Sequence, residues 1–315
     1  MLTLDHLRTE ARQLGFSACG AAQATEVGEW RVSQWRQWLH EGRHGGMDYL
    51  SRHADLRVDP RLVFEGTRTV VCVALNYFTV PMLSEEGYTL ARYAYGKDYH
   101  EVMRHKLRLL MARLELIEGV DARPFCDTAP IDERYWAWRC RLGQWGRHAQ
   151  FVLPQAGTHF FLGGLLLSAD VAGAEPPAPN ETAPDVRTIC GGCYRCREAC
   201  PSGALGQDGL DARRCLSYLT IEHRGPLPPA TGRLMGRCFY GCDRCAEVCP
   251  HNRHASPTAE PSFYPSAELQ AMSPDDWRSL TPERYRQLFK GSAVKRAKYE
   301  GLMRNIQALE SEAEE

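Results

Sequence analysis

The run Cys190-Gly-Gly-Cys193-Tyr-Arg-Cys196-Arg-Glu-Ala-Cys200-Pro201 returns downstream in shorter form as Cys242-Asp-Arg-Cys245-Ala-Glu-Val-Cys249-Pro250. The spacing C-x2-C-x2-C-x3-C-P curls a short loop around an iron–sulfur cube. Three thiolates hold one cluster and the fourth, just before proline, reaches across to another. Two such runs in tandem point to two [4Fe–4S] clusters. Cys190, Cys193 and Cys196 then take Cys249 as their fourth ligand, while Cys200 joins Cys242 and Cys245. That second set is one thiolate short. A symmetrical ferredoxin would have cysteine at position 239, where Phe239 stands. The spacing leaves Cys215 and Cys238 as the thiols able to complete it.

Other readings of these cysteines fit less well. A disulfide framework suits small secreted chains, whereas this one opens without a signal-peptide pattern and holds an odd thirteen cysteines. Zinc ribbons pair C-x2-C knuckles but do not call for three cysteines in x2 steps followed by proline. Cys238-x3-Cys242-x2-Cys245 has radical-SAM spacing, yet such clusters open a long barrel and little chain follows Cys249. Cys19, Cys72, Cys126 and Cys140 lie in apolar or mixed surroundings and are expected to be core residues.

The elements that must carry this chemistry are legible in outline. The chain has 315 residues, 43% hydrophobic and 24% charged, enough for one substantial core and a smaller second one. Its net charge of −1 excludes an indiscriminately basic nucleic-acid binder, so any such contact is local. The longest apolar stretch, 160–167, falls far short of the roughly 20 residues a membrane span needs. Cluster thiolates and the missing signal pattern place the expected location in a reducing cytoplasm.

The first stretch, to about residue 50, reads as helical, from Leu4, Leu7, Ala11 and Leu14 and then Trp30, Trp35 and Trp38. Residues 69–77 read as a buried strand, 101–118 as an amphipathic helix and 123–127 as a short strand ending on Asp127. Thr128 carries helix-start chemistry, with a proline and acids close behind. The Pro- and Ala-rich residues 172–188 read as a linker. The expected fold is therefore mixed α/β (α+β): a domain over 1–171, the linker, a bacterial ferredoxin-like two-cluster domain over 189–255, and a polar helical segment over 256–315 packing back on the first domain. Lys290, Lys295, Arg296, Lys298 and Arg304 form a basic patch in that last segment, ahead of an acidic tail ending in Glu314 and Glu315.

Five stretches resemble the epoxyqueuosine reductases: Ala91-Arg-Tyr-Ala-Tyr-Gly-Lys-Asp-Tyr-His100, Phe125-Cys-Asp-Thr-Ala-Pro-Ile-Asp-Glu-Arg134, Phe160-Phe-Leu-Gly163, Asp211-Ala-Arg-Arg-Cys-Leu-Ser-Tyr-Leu-Thr-Ile-Glu222, and the basic segment 289–305. The resemblance implies a cobalamin-binding α/β domain fed by the two-cluster domain, as in the reductive dehalogenases. It implies reduction of epoxyqueuosine to queuosine in a tRNA anticodon loop, with an external low-potential electron donor and a monomeric enzyme. It also implies Cys215 as the eighth ligand, leaving Cys238 a spare thiol, and Asp127 as proton donor. A carboxylate buried beside the cofactor would have its pKa raised by desolvation. Arg57, Tyr93, Lys97, Asp127, Ser217 and Tyr218 are the expected cobalamin contacts. No D-x-H-x-x-G motif is present, so no protein histidine is expected on cobalt. One departure stands out: the family pattern A-G-L-G-W-x-G-K is replaced by Cys140-Arg-Leu-Gly-Gln-Trp-Gly-Arg147, with Arg141 for a glycine. The altered loop is expected to be rebuilt. It leaves open a cobalamin-dependent reductase of a small molecule, or a non-catalytic electron-transfer protein.

Overall fold

The computed structural model describes every residue except 1, 81, 84–86, 115–119, 155, 179 and 312–315. The acidic tail and the last residues of the helix expected over 101–118 lie outside that set. The first domain contains α1 (Leu4–Gln13), β1 (Ala18–Gln23), α2 (Glu29–His40), β2 (Thr69–Asn76), α3 (Tyr99–Leu114), β3 (Ala122–Phe125), α4 (Glu133–Arg139) and β4 (Phe160–Leu167). Its strands form a four-stranded sheet in the order β1-β2-β4-β3, with every neighbouring pair antiparallel.

The unbroken apolar run of β2 follows from burial on both faces. Val71, Val73 and Leu75 meet Leu7 of α1 and Met103 and Leu107 of α3. Val70, Cys72 and Ala74 face the other way, toward Val32 of α2 and Tyr135 and Trp136 of α4. β4 owes its place to its glycine pair. A Cβ on Gly164 would lie 1.9 Å from the Val71 carbonyl oxygen, and one on Gly163 2.7 Å from Met103 Cε. Cys72, Cys126 and Cys140 are buried in these cores, while Cys19 is half-buried.

Three local expectations need correction. The opening stretch is interrupted by β1, whose small residues carry no strand propensity and whose form is set by pairing with β2. The helix expected from Thr128 starts five residues later, where Asp132 caps Tyr135 N at 3.1 Å. The Thr128 hydroxyl instead accepts from Arg104 at 2.9 Å. Residues 172–188, by composition a linker, are tied to the first domain by bridges from Thr3 to Ala172 and Ala22 to Glu175. Glu181 also reaches into the core. Its carboxylate accepts from Tyr135 Oη at 2.6 Å and pairs with Arg139 at 3.2 Å, with side chains only 7% and 5% exposed. A buried guanidinium needs such a counter-charge.

In the second half, α5 (Leu216–Ile221), β5 (Cys238–Tyr240) and α6 (Lys298–Ser311) surround a core of Leu216, Leu219, Phe239, Tyr240, Trp277, Phe289, Leu302 and Ile306. The C-terminal segment from 256 to 311 thus packs on the cluster module and also, as expected, back on the first domain, where Asn76 Nδ2 donates to the Ser256 carbonyl at 2.8 Å, Thr258 Oγ1 donates to the Asn76 carbonyl at 2.6 Å and Lys106 pairs with Glu260 at 2.8 Å. Asn305 of α6 makes the packing on the cluster module specific by donating to the carbonyls of Thr220 and Phe239, at 2.8 and 2.9 Å. Phe263 adds an aromatic contact to the first domain, packing against Phe161 with ring centroids 5.1 Å apart. Among the described residues, no helix is long and apolar enough to cross a membrane.

Candidate functional site

Asp127 stands just past the end of β3 in the left-handed region, φ 54°. That conformation is uncommon outside glycine, and among other residues aspartate tolerates it well. The start of α3 supplies its partners. Asp98 accepts from His100 N at 3.0 Å, an N-cap contact, and from His100 Nδ1 at 2.6 Å. This fixes the imidazole so that Nε2 meets Asp127 Oδ2 at 3.0 Å. Tyr99 Oη donates to the same oxygen at 2.7 Å, and its ring lies between Phe161 and His100, with centroids 4.2 and 4.0 Å away. Beneath, Asp127 N–H donates to the Glu133 carboxylate at the start of α4.

The electrostatics differ from expectation. Burial opposes ionisation of Asp127, but hydrogen bonds from His100 and Tyr99 outweigh it and hold the carboxyl below its usual range. The side chain is also 58% exposed, not sealed away. Burial likewise works against a charged His100, yet its bonds to Asp127 and Asp98 raise it to about 9. The carboxyl that burial does push up, to about 8, is Glu133, with the Asp127 charge adding to the effect. At neutral pH the site holds an imidazolium between two carboxylates, above a neutral glutamic acid. The sequence motif quoted through Asp98, Tyr99 and His100 contained these groups, but not their convergence on Asp127.

The cysteines fall into two neighbourhoods. Burial pushes the Cys196 thiol up, and Cys190, Cys249 and Cys193 push the same way. Burial raises Cys215 with Cys200 adding to it, raises Cys242 to about 11 with Cys215 contributing, and raises Cys245 beside Cys242 and Cys215. Such pockets hold bare thiolates poorly, and the positive charge of bound iron would relieve that cost. Backbone N–H groups of Tyr218 and Ser217 point at Cys215, and Gln150 Nε2 donates to Cys245 Sγ at 3.4 Å. Among the described residues no donors converge on a single ion, whereas a cube spreads its thiolates over separate corners. The Cys238 thiol turns to the carbonyls of Tyr240 and Gly241, at 3.3 and 3.5 Å. All thirteen cysteines are free of disulfides.

Residues 57–128 match the family described as epoxyqueuosine reductase QueG, DUF1730, a span that runs from Arg57 through Asp127. Residues 189–252 match the 4Fe-4S double cluster binding domain. An epoxyqueuosine reductase of Cyclobacterium marinum is 38% identical over 98% of this chain and 96% of its own length. One from Leadbetterella byssophila is 37% identical over 95% and 96%. This chain belongs to the epoxyqueuosine reductase family. It is accordingly an oxidoreductase with a double [4Fe–4S] module. A solved epoxyqueuosine reductase holding an epoxyqueuosine-modified tRNA stem loop shares the fold, with TM-score 0.82 and 24% identity over 97% of this chain and 80% of that one.

The departure from the family's glycine pattern is milder than expected. Arg141 adopts φ 59°, the left-handed conformation a glycine there would favour, just after the end of α4. Its guanidinium pairs with Glu175 at 3.1 Å. The loop keeps its turn, and its far end abuts the first cysteine run: Arg147 N–H faces Cys190 Sγ at 3.5 Å.

The remaining candidates divide. Arg57 has a buried Nε without a partner, and Lys97 is exposed. Tyr93 is committed to the seam between the halves, its hydroxyl bonded to Tyr240 Oη at 3.2 Å. Tyr218 is buried, and its hydroxyl accepts from Gly46 N at 2.6 Å. A Cβ on neighbouring Gly45 would strike its ring at 2.5 Å. Ser217 and Tyr218 therefore meet Cys215 through their backbone. In the basic patch Arg304 is spent on the carbonyls of Leu219, His223 and Gly225, and Arg296 on a fork with Glu222 at 2.7 and 2.8 Å. Lys290, Lys295 and Lys298 remain exposed. Tyr49 links this patch to the active site. It lies under Arg296, 5.4 Å from the ring, and feels the Asp127 charge.

Proposed function

We propose that this chain reduces epoxyqueuosine to queuosine in a tRNA anticodon loop, with electrons arriving through two [4Fe–4S] clusters and a cobalamin. The observation that carries the reading is Asp127, aimed by His100 and Tyr99 and sharing its surroundings with Tyr49 and the basic segment. Cys190, Cys193, Cys196 and Cys249 would hold one cluster; Cys200, Cys215, Cys242 and Cys245 the other. Arg57, through its unpartnered buried Nε, and Lys97 are the groups suited to the anionic part of a cobalamin. When bound, cobalamin supplies the redox chemistry at cobalt that no side chain offers.

The chain's own residues manage the protons. Opening the epoxide to an alkene and water consumes two electrons and two protons. Asp127 is ionised at rest, so the proton for the departing oxygen would start on His100, charged at neutral pH, and pass to Asp127 through the 3.0 Å contact as it is delivered, with solvent recharging His100 and supplying the second proton. Asp98 keeps the imidazole oriented, and neutral Glu133 anchors the Asp127 backbone. The small-molecule alternative rested on a rebuilt 140–147 loop and loses that motive, since Arg141 keeps the left-handed turn.

The test is anaerobic reconstitution with iron, sulfide and cobalamin, followed by nucleoside analysis of tRNA from cells that accumulate epoxyqueuosine. Asp127→Asn is expected to keep both cofactors and lose about 10²–10⁴-fold in turnover. Near-normal turnover at matched cofactor content would make Asp127 a turn residue only.

A further inference from the structure

The outer face of the first cysteine run carries a surface that the reaction above does not use. Tyr194, next to Cys193, is 45% exposed. Two guanidiniums clamp its ring, Arg147 at 4.4 Å and Arg197 at 5.4 Å from the centroid. Arg147 is fixed in turn by donating to the Gly191 carbonyl at 2.8 Å. Gly191 and Gly192, which separate two of the thiols, are exposed, and nothing lies within 4 Å of where a Cβ on either would stand. Beside them is a depression of about 410 Å³ with Cys249 in its wall and Arg195, Arg253, Glu198 and Glu247 at its edge. Arg195 and Arg253 have no hydrogen-bonded or ionic side-chain partner among the described residues.

The charge on this face is net positive. Arg147, Arg195, Arg197 and Arg253 outnumber Glu198 and Glu247, while Arg187 and Asp185 cancel in a fork of their own. In the second set, Cys245 is bonded by Gln150 and lies near the half-buried ring of Tyr77. Uncovered backbone between two thiols, an exposed aromatic flanked by two cations, and unpaired arginines make an entry for electrons rather than a structural surface. Charges so placed steer an oppositely charged partner and set its orientation.

We propose that this face docks an acidic one-electron carrier protein, which reduces the cluster of Cys190, Cys193, Cys196 and Cys249. The inference rests on the cluster assignment made above. Each encounter moves one electron: the carrier is oxidised by one, and the cube falls from the 2+ to the 1+ core charge. Two encounters supply the pair of electrons that, with two protons, converts the epoxide to alkene and water.

The experiment uses the reconstituted full chain and reduced flavodoxin as the carrier, following bleaching of cluster absorbance at low and high salt. The double variant Arg195→Glu/Arg253→Glu is expected to slow reduction by about tenfold or more and to flatten its salt dependence. Arg195→Gln/Arg253→Gln, gentler on folding, should slow it severalfold. Reduction by dithionite, which needs no docking surface, and iron content should stay as in the parent. Unchanged flavodoxin rates and salt dependence in both variants would overturn the proposal. Normal reduction with lost tRNA binding would also overturn it and give the face to RNA. Cluster bleaching requires neither cobalamin nor epoxyqueuosine, so failure of the functional reading would show separately, as normal reduction without turnover.

Discussion

At the scale of single residues, the proton inventory around Asp127 makes a signed statement about pH. His100 is raised from 6.5 to about 9, so the stability from its contacts with Asp98 and Asp127 is fully present below 6.5 and lost as pH rises through about 9. Turnover that draws on this imidazolium should fall over the same alkaline range. His100→Gln keeps a donor near Asp127 but cannot carry the proton, so its pH–rate profile should lose that limb while iron and cobalamin contents hold. A retained limb would assign the titration to another group. The cysteines give a second residue-scale test. Cys215→Ser should remove close to half of the expected ~8 iron atoms, and Cys238→Ser none, because the Cys238 thiol is directed at carbonyls. The reverse pattern, read by iron analysis, would exchange their roles. The spacing rule identified seven of these thiols but left the eighth undecided, and Asp127 was legible only through its motif. His100 was hidden because nothing in a linear pattern brings residue 100 to residue 127. That meeting depends on α3 starting beside the end of β3.

Among the elements, the strong periodicities were legible and the context-driven ones were not. β2 announced itself because both of its faces are buried, so every position from Val70 to Leu75 is apolar. β1 and β4 were missed for the same physical reason: small residues and glycines are chosen there for close approach to neighbours, not for strand propensity. The α4 C-terminus offers the sharpest test of local conformation. Arg141 has an unfavourable left-handed backbone and gains only an exposed ion pair with Glu175 in return. A non-glycine residue pays about 1–2 kcal/mol there, whereas an exposed pair is worth about 0–1 kcal/mol. Arg141→Gly is therefore expected to stabilise the fold by up to about 1 kcal/mol, and Arg141→Val to destabilise it, in denaturant unfolding at constant iron content. Destabilisation by glycine would mean that the Glu175 pair holds the 172–188 segment in place.

For the molecule as a whole, the two halves are locked by polar contacts that composition could not reveal. Trp38 Nε1 donates to the Leu210 carbonyl at 2.7 Å, Gly46 N to Tyr218, and Arg92 N to Asp243 at 2.7 Å. The C-terminal segment adds Asn76 to Ser256 and Lys106 to Glu260 to this lock, while its arginines fasten it to residues 219–225, which sorts the basic patch into two kinds of cation. Arg296 and Arg304 are structural, while Lys290, Lys295 and Lys298 lie exposed on the same segment, with Tyr49 under Arg296 and within reach of the Asp127 charge. If these lysines meet the phosphates of the anticodon arm, their contribution is electrostatic and independent of sequence. Replacing all three with glutamine should leave iron content and unfolding unchanged. It should weaken tRNA binding and reduce the slope of log K against log salt by about 0.7–0.9 per lysine that contacts phosphate. Substitution of Arg304 should act differently, lowering stability through three unpaired carbonyls and affecting binding only secondarily. A lysine variant with an unchanged salt slope would show that the RNA approaches Asp127 from another side, with the segment serving only to join the halves.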